Sequence, residues 1–174
     1  MKLHTPNLVL LAMLGCLFLA SGTLREHTVI SAARSQGVRE LESSYSEHRD
    51  AAGLQKVSQA YLDAASPGLA VSVIASAPSE LRNSPAVQHA YGRALLDSGR
   101  AADALIAERR ALDLCAAAAE SGNDCETWLI ASATRRADIL EQLAVLGVQD
   151  AEAHPEASAV AYHNATREAR FAVR

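Results

Sequence analysis

The sequence predicts an all-α fold on three observations. Alanine is abundant while aromatic residues make up only 4% of the chain, so any core is built from small and aliphatic side chains that let helices approach closely. Apolar residues recur at helical spacing through most of the chain from Thr23 onward. The one run with β character, Val71-Ser72-Val73-Ile74, lies inside a stretch of helical period. At 174 residues there is room for one domain of ordinary size.

The elements follow in order. Leu24, Val29, Ile30, Ala33, Val38, Leu41 and Tyr45 mark a helical segment over Thr23–His48, with Gly37 as a weak point that makes it one helix or two. Asp50 suits the N-cap of a helix from Ala51 to about Ala65. Ser66-Pro67-Gly68 ends it, and Pro67 suits the first turn of the next helix, which runs to Ala77. Pro78, Asn83 and Pro85 punctuate a connection, and helical period resumes over Ala86–Asp97. Gly99 fits a left-handed C-cap before a longer helix from Ala101 to about Ala119. Glu126–Leu146 reads as a strong helix stopped by Gly147, and Pro155 opens a final one to about Val173.

The amino-terminal segment reads as an address. Lys2 precedes an apolar run from Leu8 to Ala20 and the small residues Ser21-Gly22, the pattern of a signal peptide over residues 1–22 cut before Thr23. The run is short for a spanning helix, which needs about 20 residues, so an uncleaved anchor is the lesser expectation. Met13-Leu14-Gly15-Cys16 resembles the bacterial lipobox, in which Cys16 would be lipidated; the apolar residues after Cys16 fit that pattern poorly. Either way the chain is expected outside the cytoplasm, periplasmic or extracytoplasmic, and on a membrane only if Cys16 is lipidated or the segment is retained. Cleavage removes Lys2 and no acid, moving the net charge from −4 to −5. In such a compartment the remaining cysteines, Cys115 and Cys125, are expected to form a disulfide across the Ser121-Gly122-Asn123-Asp124 turn. Closing so short a loop restricts the unfolded chain by roughly 2–3 kcal/mol. A metal or redox role for this pair lacks CxxC spacing and a nearby histidine.

An offset of 34 residues superposes much of the middle of the chain: Leu54 on Gln88, Val57 on Tyr91, Ser58 on Gly92, Ala60 on Ala94, Ala70 on Ala104 and Ala77 on Ala111. Small residues recur where two antiparallel helices would cross closely. On these residues the chain resembles the tetratricopeptide repeat family. The second repeat, Pro85–Ala118, fits best, through Gly92, Gly99, Ala104 and Ala111. The first, Ala51–Ser84, has Ser58 for one glycine and Ala65 for the other. Gly122, Glu126 and Asp138 fall where a third copy would need apolar or small residues. The resemblance implies helical hairpins stacked as a short solenoid over residues 51–118. An amino-terminal segment, residues 23–50, and a carboxy-terminal cap, residues 119–174, would complete one domain, because two repeats rarely bury a continuous core. Trp128 is expected to pack against the last repeat.

The resemblance also implies a concave groove that holds a peptide or partner segment. Its positions are His89, Arg93, Leu96 and Asp97 in the second repeat and Gln55, Gln59, Leu62 and Asp63 in the first. Steps of three and four residues put 89, 93, 96 and 97 on one helix face. The plainer reading of His89, Arg93 and Asp97 is a solvated face with a local ion pair of little energetic weight. The six histidines have no metal-ligand spacing, and no nucleophile elbow or phosphate loop occurs, so no metal, cofactor or enzymatic activity is expected. His154, flanked by Glu152 and Glu156, and His89 are the residual candidates for an enzyme, the least expected alternative. No basic stripe points to nucleic acid. The expectation is an exported adaptor for another protein. The alternative is an anchored accessory subunit of an envelope assembly without a peptide groove.

Overall fold

The computed structural model describes residues 36–172. The signal segment, Cys16 and the cleavage point at Thr23 therefore lie outside the described residues. The chain divides into two units, Met1–Glu40 and Leu41–Arg174. Of the first, residues 36–40 are described, and they are helical, with Gln36 donating to Glu40 at 3.1 Å. In the second unit, residues 41–47 are helical and form α1. Then come α2 (Ala51–Asp63), α3 (Pro67–Ser76), α4 (Ser79–Arg82), α5 (Pro85–Leu96), α6 (Ala101–Glu120), α7 (Thr127–Val145) and α8 (Pro155–Ala172). No strand occurs among the described residues.

Caps and turns place these helices largely where the sequence predicts. Asp50, in extended backbone, accepts the Gly53 N–H on Oδ1 at 2.6 Å and starts α2. Gly99 takes φ 72° after α5, and Gly147 takes φ 69° after α7. In each of these turns the next residue's N–H bonds back to a carbonyl in the last helical turn, Arg100 to Leu95 and Val148 to Leu143, both at 2.9 Å. The first residue of α6 has its N–H taken by the Gln149 carbonyl at 3.1 Å, so the α7–α8 loop serves as that helix's cap. The connection expected over 78–85 holds a short helix, α4, opened by Pro78. Its last carbonyl, on Arg82, accepts Gln88 Nε2 at 2.7 Å.

The pairs α2–α3, α5–α6, α6–α7 and α7–α8 pack as antiparallel neighbours, and α2 and α3 also pack on α5. One core cluster joins Leu95 of α5, Ala101, Ala104 and Ala107 of α6, Leu140 and Leu143 of α7, and Ala161 of α8. A second joins Leu54, Ile74, Ala77 and Val87. Alanine at most crossing points is what the composition anticipates: small residues let the backbones close up and leucines fill the flanks. Between α1 and α2 the Tyr61 hydroxyl donates to Glu42. Its pKa is pushed up to about 12, first by burial and then by the hydrogen bond and charge of Glu42.

Cys115, buried in α6, and Cys125, just before α7, form a disulfide with Cα atoms 5.5 Å apart. A disulfide is consistent with an oxidising, extracytoplasmic location. No described helix is long and apolar enough to cross a membrane.

Trp128 meets α5, within the span expected to form the last repeat, at the edge of His89. It is 53% exposed and does not fill the core. The buried stripe of α7 runs through Leu129, Ala133, Ala137 and Leu140, and position 128 lies one residue, about 100°, off that stripe.

Candidate functional site

The buried stripe of α6 runs Ala101, Ala104, Glu108, Ala111, Cys115, the three-and-four spacing of a helix face turned to the core. Glu108 occupies its centre and is 0% exposed. A carboxylate there is costly unless it is paired and hydrogen-bonded on both oxygens. Both conditions are met. Oε2 lies 2.6 Å from Nδ1 of His89 on α5, and Oε1 lies 2.6 Å from Nη1 of Arg136 on α7. The same Arg136 Nη1 reaches the His89 carbonyl at 3.3 Å, which ties the two donors to each other.

Hydrogen-bond logic assigns the imidazole. A carboxylate oxygen at 2.6 Å only accepts, so Nδ1 carries the proton and donates. The 3.4 Å approach of Arg136 Nη1 to Nδ1 then joins two donors and is not a hydrogen bond. Nε2, for which no described group supplies a partner, remains the ring nitrogen available to solvent. The Trp128 ring stands edge-on to this imidazole, centroids 6.2 Å apart.

Gly92 makes room for the carboxylate. A Cβ at this position would sit 2.6 Å from Glu108 Oε1 and 2.9 Å from its Cδ. Because that carboxylate is held on both oxygens, it cannot swing aside. Gly92→Ala therefore sets a gain of up to about 1 kcal/mol in helix propensity against an overpacking cost of about 1–3 kcal/mol. The expected outcome is a net loss of about 1–2 kcal/mol in urea unfolding, and a gain in stability would contradict the packing.

Above this cluster lies an open cleft of about 230 Å³, with walls from Gln55 and Gln59 of α2, His89, Ala90 and Arg93 of α5, and Trp128, Ser132 and Arg136 of α7. Four of the predicted groove residues, Gln55, Gln59, His89 and Arg93, thus line one cavity. The other four do not line it. Leu62 falls four residues after the buried Ser58 on the core stripe and packs with Ala70 and Ala94. Leu96, four residues after Gly92, packs half-buried against the α5–α6–α7 core. Asp63 accepts from Gln59 Nε2 at 2.6 Å, and Asp97 pairs with Arg93 at 3.7 Å, both on exposed faces. His89 is not part of a solvated face: it is 8% exposed and committed to Glu108.

Sequence reasoning missed Glu108, Arg136 and Ser132. A signal for Glu108 was present, since the 34-residue offset puts it on Ile74, which is fully buried, and a charge at an apolar register position marks a built cluster. Arg136 and Ser132 carried no such signal, because they belong to a helix that the 34-residue offset does not reach. His154 borders a shallow hollow of about 380 Å³ made by residues 153–157 alone. Among the described residues no group of three His, Cys, Asp or Glu side chains could hold a metal ion. No protein-family model, no curated protein and no solved structure matches this chain.

Proposed function

We propose that this protein is an exported helical adaptor that takes a segment of another protein into the cleft between α2, α5 and α7. The observation that carries the reading is the way the cleft is built. A buried carboxylate, Glu108, fixes one face of it by holding His89 and Arg136, while Gln55, Gln59, Arg93, Ser132 and the exposed Trp128 stay accessible around them. A charge buried on the core stripe is an expensive way to make a core and an effective way to preorganise a surface.

A tetratricopeptide-like pairing of hairpins is part of this reading. Ala65, with φ 52°, and Gly99, with φ 72°, are the left-handed turn residues of the α2–α3 and α5–α6 hairpins, 34 residues apart. The bond of Ser66 N–H to the Tyr61 carbonyl matches that of Arg100 to Leu95, each 2.9 Å. Export is supported by the disulfide.

The test places a photo-crosslinking residue at Gln55 or Ser132 in the protein expressed with its own leader, with exposed Ile106 on α6 as the control position. Both cleft positions are expected to trap the same partner, and the Arg93→Glu/Asp97→Lys double variant to abolish the crosslink while keeping the helical ion pair. Equal crosslinking from Ile106, or indifference to the charge swap, would remove the cleft from the reading.

A further inference from the structure

We propose that the segment the cleft accepts is acidic, its carboxylates engaging Arg93 and Arg136; this rests on the cleft reading above. The lining supplies two guanidiniums, an imidazole, two amides and a hydroxyl, and no Asp or Glu. The nearby acids Asp97 and Glu126 bond the lining residues Arg93 and Trp128 but do not themselves line the cleft.

The guanidiniums have donors to spare. Every protein hydrogen bond of Arg136 uses Nη1, to Glu108 and to the His89 carbonyl, and no described group partners its Nε or Nη2. Buried unpartnered side-chain nitrogens are absent among the described residues, so these donors reach solvent. Arg93 gives Nη1 to Gln59 at 3.2 Å, and its Nε approaches Asp97 at 3.7 Å in an exposed pair that a ligand carboxylate displaces at little cost. Glu108 does not compete for a ligand's place: both its oxygens are used and it is fully buried, so it aims Arg136 without blocking it. A planar fork of N–H donors matches a carboxylate on two bonds, which a point charge cannot do.

Two further features favour a peptide as the carrier of those carboxylates. Gln55 offers a side-chain amide, both donor and acceptor, suited to the backbone of an extended chain, and the open face of Trp128 offers an apolar rest for a neighbouring side chain. The α7 wall from Trp128 to Arg136 is about 12 Å long by helical rise, enough for about three or four extended residues.

Trp128 is the chain's one tryptophan, so its emission reports on the cleft directly. The probes are an octapeptide alternating Ser and Glu, its Ser-Gln counterpart, its Ser-Lys counterpart and inorganic phosphate, each titrated into the exported protein. The glutamate peptide is expected to change Trp128 emission saturably, and Arg93→Gln, which gives up one part-buried bond to Gln59 and an exposed pair with Asp97, to weaken it about tenfold with its unfolding midpoint moved by no more than a surface pair costs. Equal binding of the Ser-Gln peptide would overturn the acidic inference while leaving the cleft reading intact. Phosphate competing as well per negative charge would overturn the choice of a peptide. Silence of Trp128 to every peptide would overturn the inference outright, and the crosslinks from Gln55 and Ser132 decide the adaptor reading separately.

Discussion

Arg136→Met destabilises the fold by about 3–5 kcal/mol, the cost of leaving one member of a buried ion pair without its partner. Methionine keeps much of the aliphatic stem and removes only the guanidinium. What remains is a carboxylate with no solvent exposure, one oxygen satisfied by His89 Nδ1–H at 2.6 Å and the other with nothing. The His89 carbonyl loses its contact from the same nitrogen. Measured against a total stability of roughly 5–15 kcal/mol for a domain, this is a large fraction of the whole. Urea unfolding followed by circular dichroism reads it as a fall in midpoint at constant slope. Arg109→Met is the matched control. The Arg109–Glu141 pair is as short, at 2.7 Å, but about half exposed on both sides, so its loss costs no more than about 1 kcal/mol. Equal costs for the two substitutions would mean that burial of Glu108 has no energetic consequence.

Cys115→Ala/Cys125→Ala lowers stability by roughly 2–3 kcal/mol, the chain entropy that the closed loop withholds from the unfolded state. The local consequence reaches the cleft. The N-cap of α7, Glu126, turns its carboxylate to Trp128 Nε1 and not to the helix's own N–H groups, and the disulfide ties the residue just before it to α6. Trp128 lies in that first turn. The double variant, or the reduced protein, is therefore expected to show altered Trp128 emission in native conditions as well as a lower urea midpoint. An unchanged midpoint would contradict the clamp.

The fold was legible because its punctuation was explicit. Asp50, Pro67, Pro85, Gly99, Gly147 and Pro155 each carry a local backbone preference strong enough to place a helix end without tertiary help. The short helix α4 was not legible, because four residues opened by Pro78 leave no apolar period to detect. Trp128 reaches α5 at His89 yet stays half-exposed, because position 128 misses the buried stripe of α7 by one residue. The groove positions divide for the same reason. Gln55, Gln59 and Arg93 lie on the open side of their helices and His89 at the buried floor of the cleft, whereas Leu62 falls on the core stripe of α2. Glu108 is legible only as a mismatch: the 34-residue offset matches small residues to small ones, but here it sets a glutamate against Ile74. Arg136 shows what a single sequence withholds: nothing local pairs it with a residue 28 positions earlier, on another helix.

The central claim is that Glu108 is buried to hold Arg136 and His89 at the floor of the cleft, and a double-mutant cycle between Glu108→Met and Arg136→Met tests it most directly. The charge at 108 is what makes Arg136 indispensable. Arg136→Met is therefore expected to cost about 3–5 kcal/mol in the native background and within about 1 kcal/mol of nothing once position 108 is Met, since replacing both partners by apolar groups of similar shape is close to neutral. The same cost in both backgrounds would contradict the account, because Arg136 would then stabilise the fold independently of the carboxylate it touches.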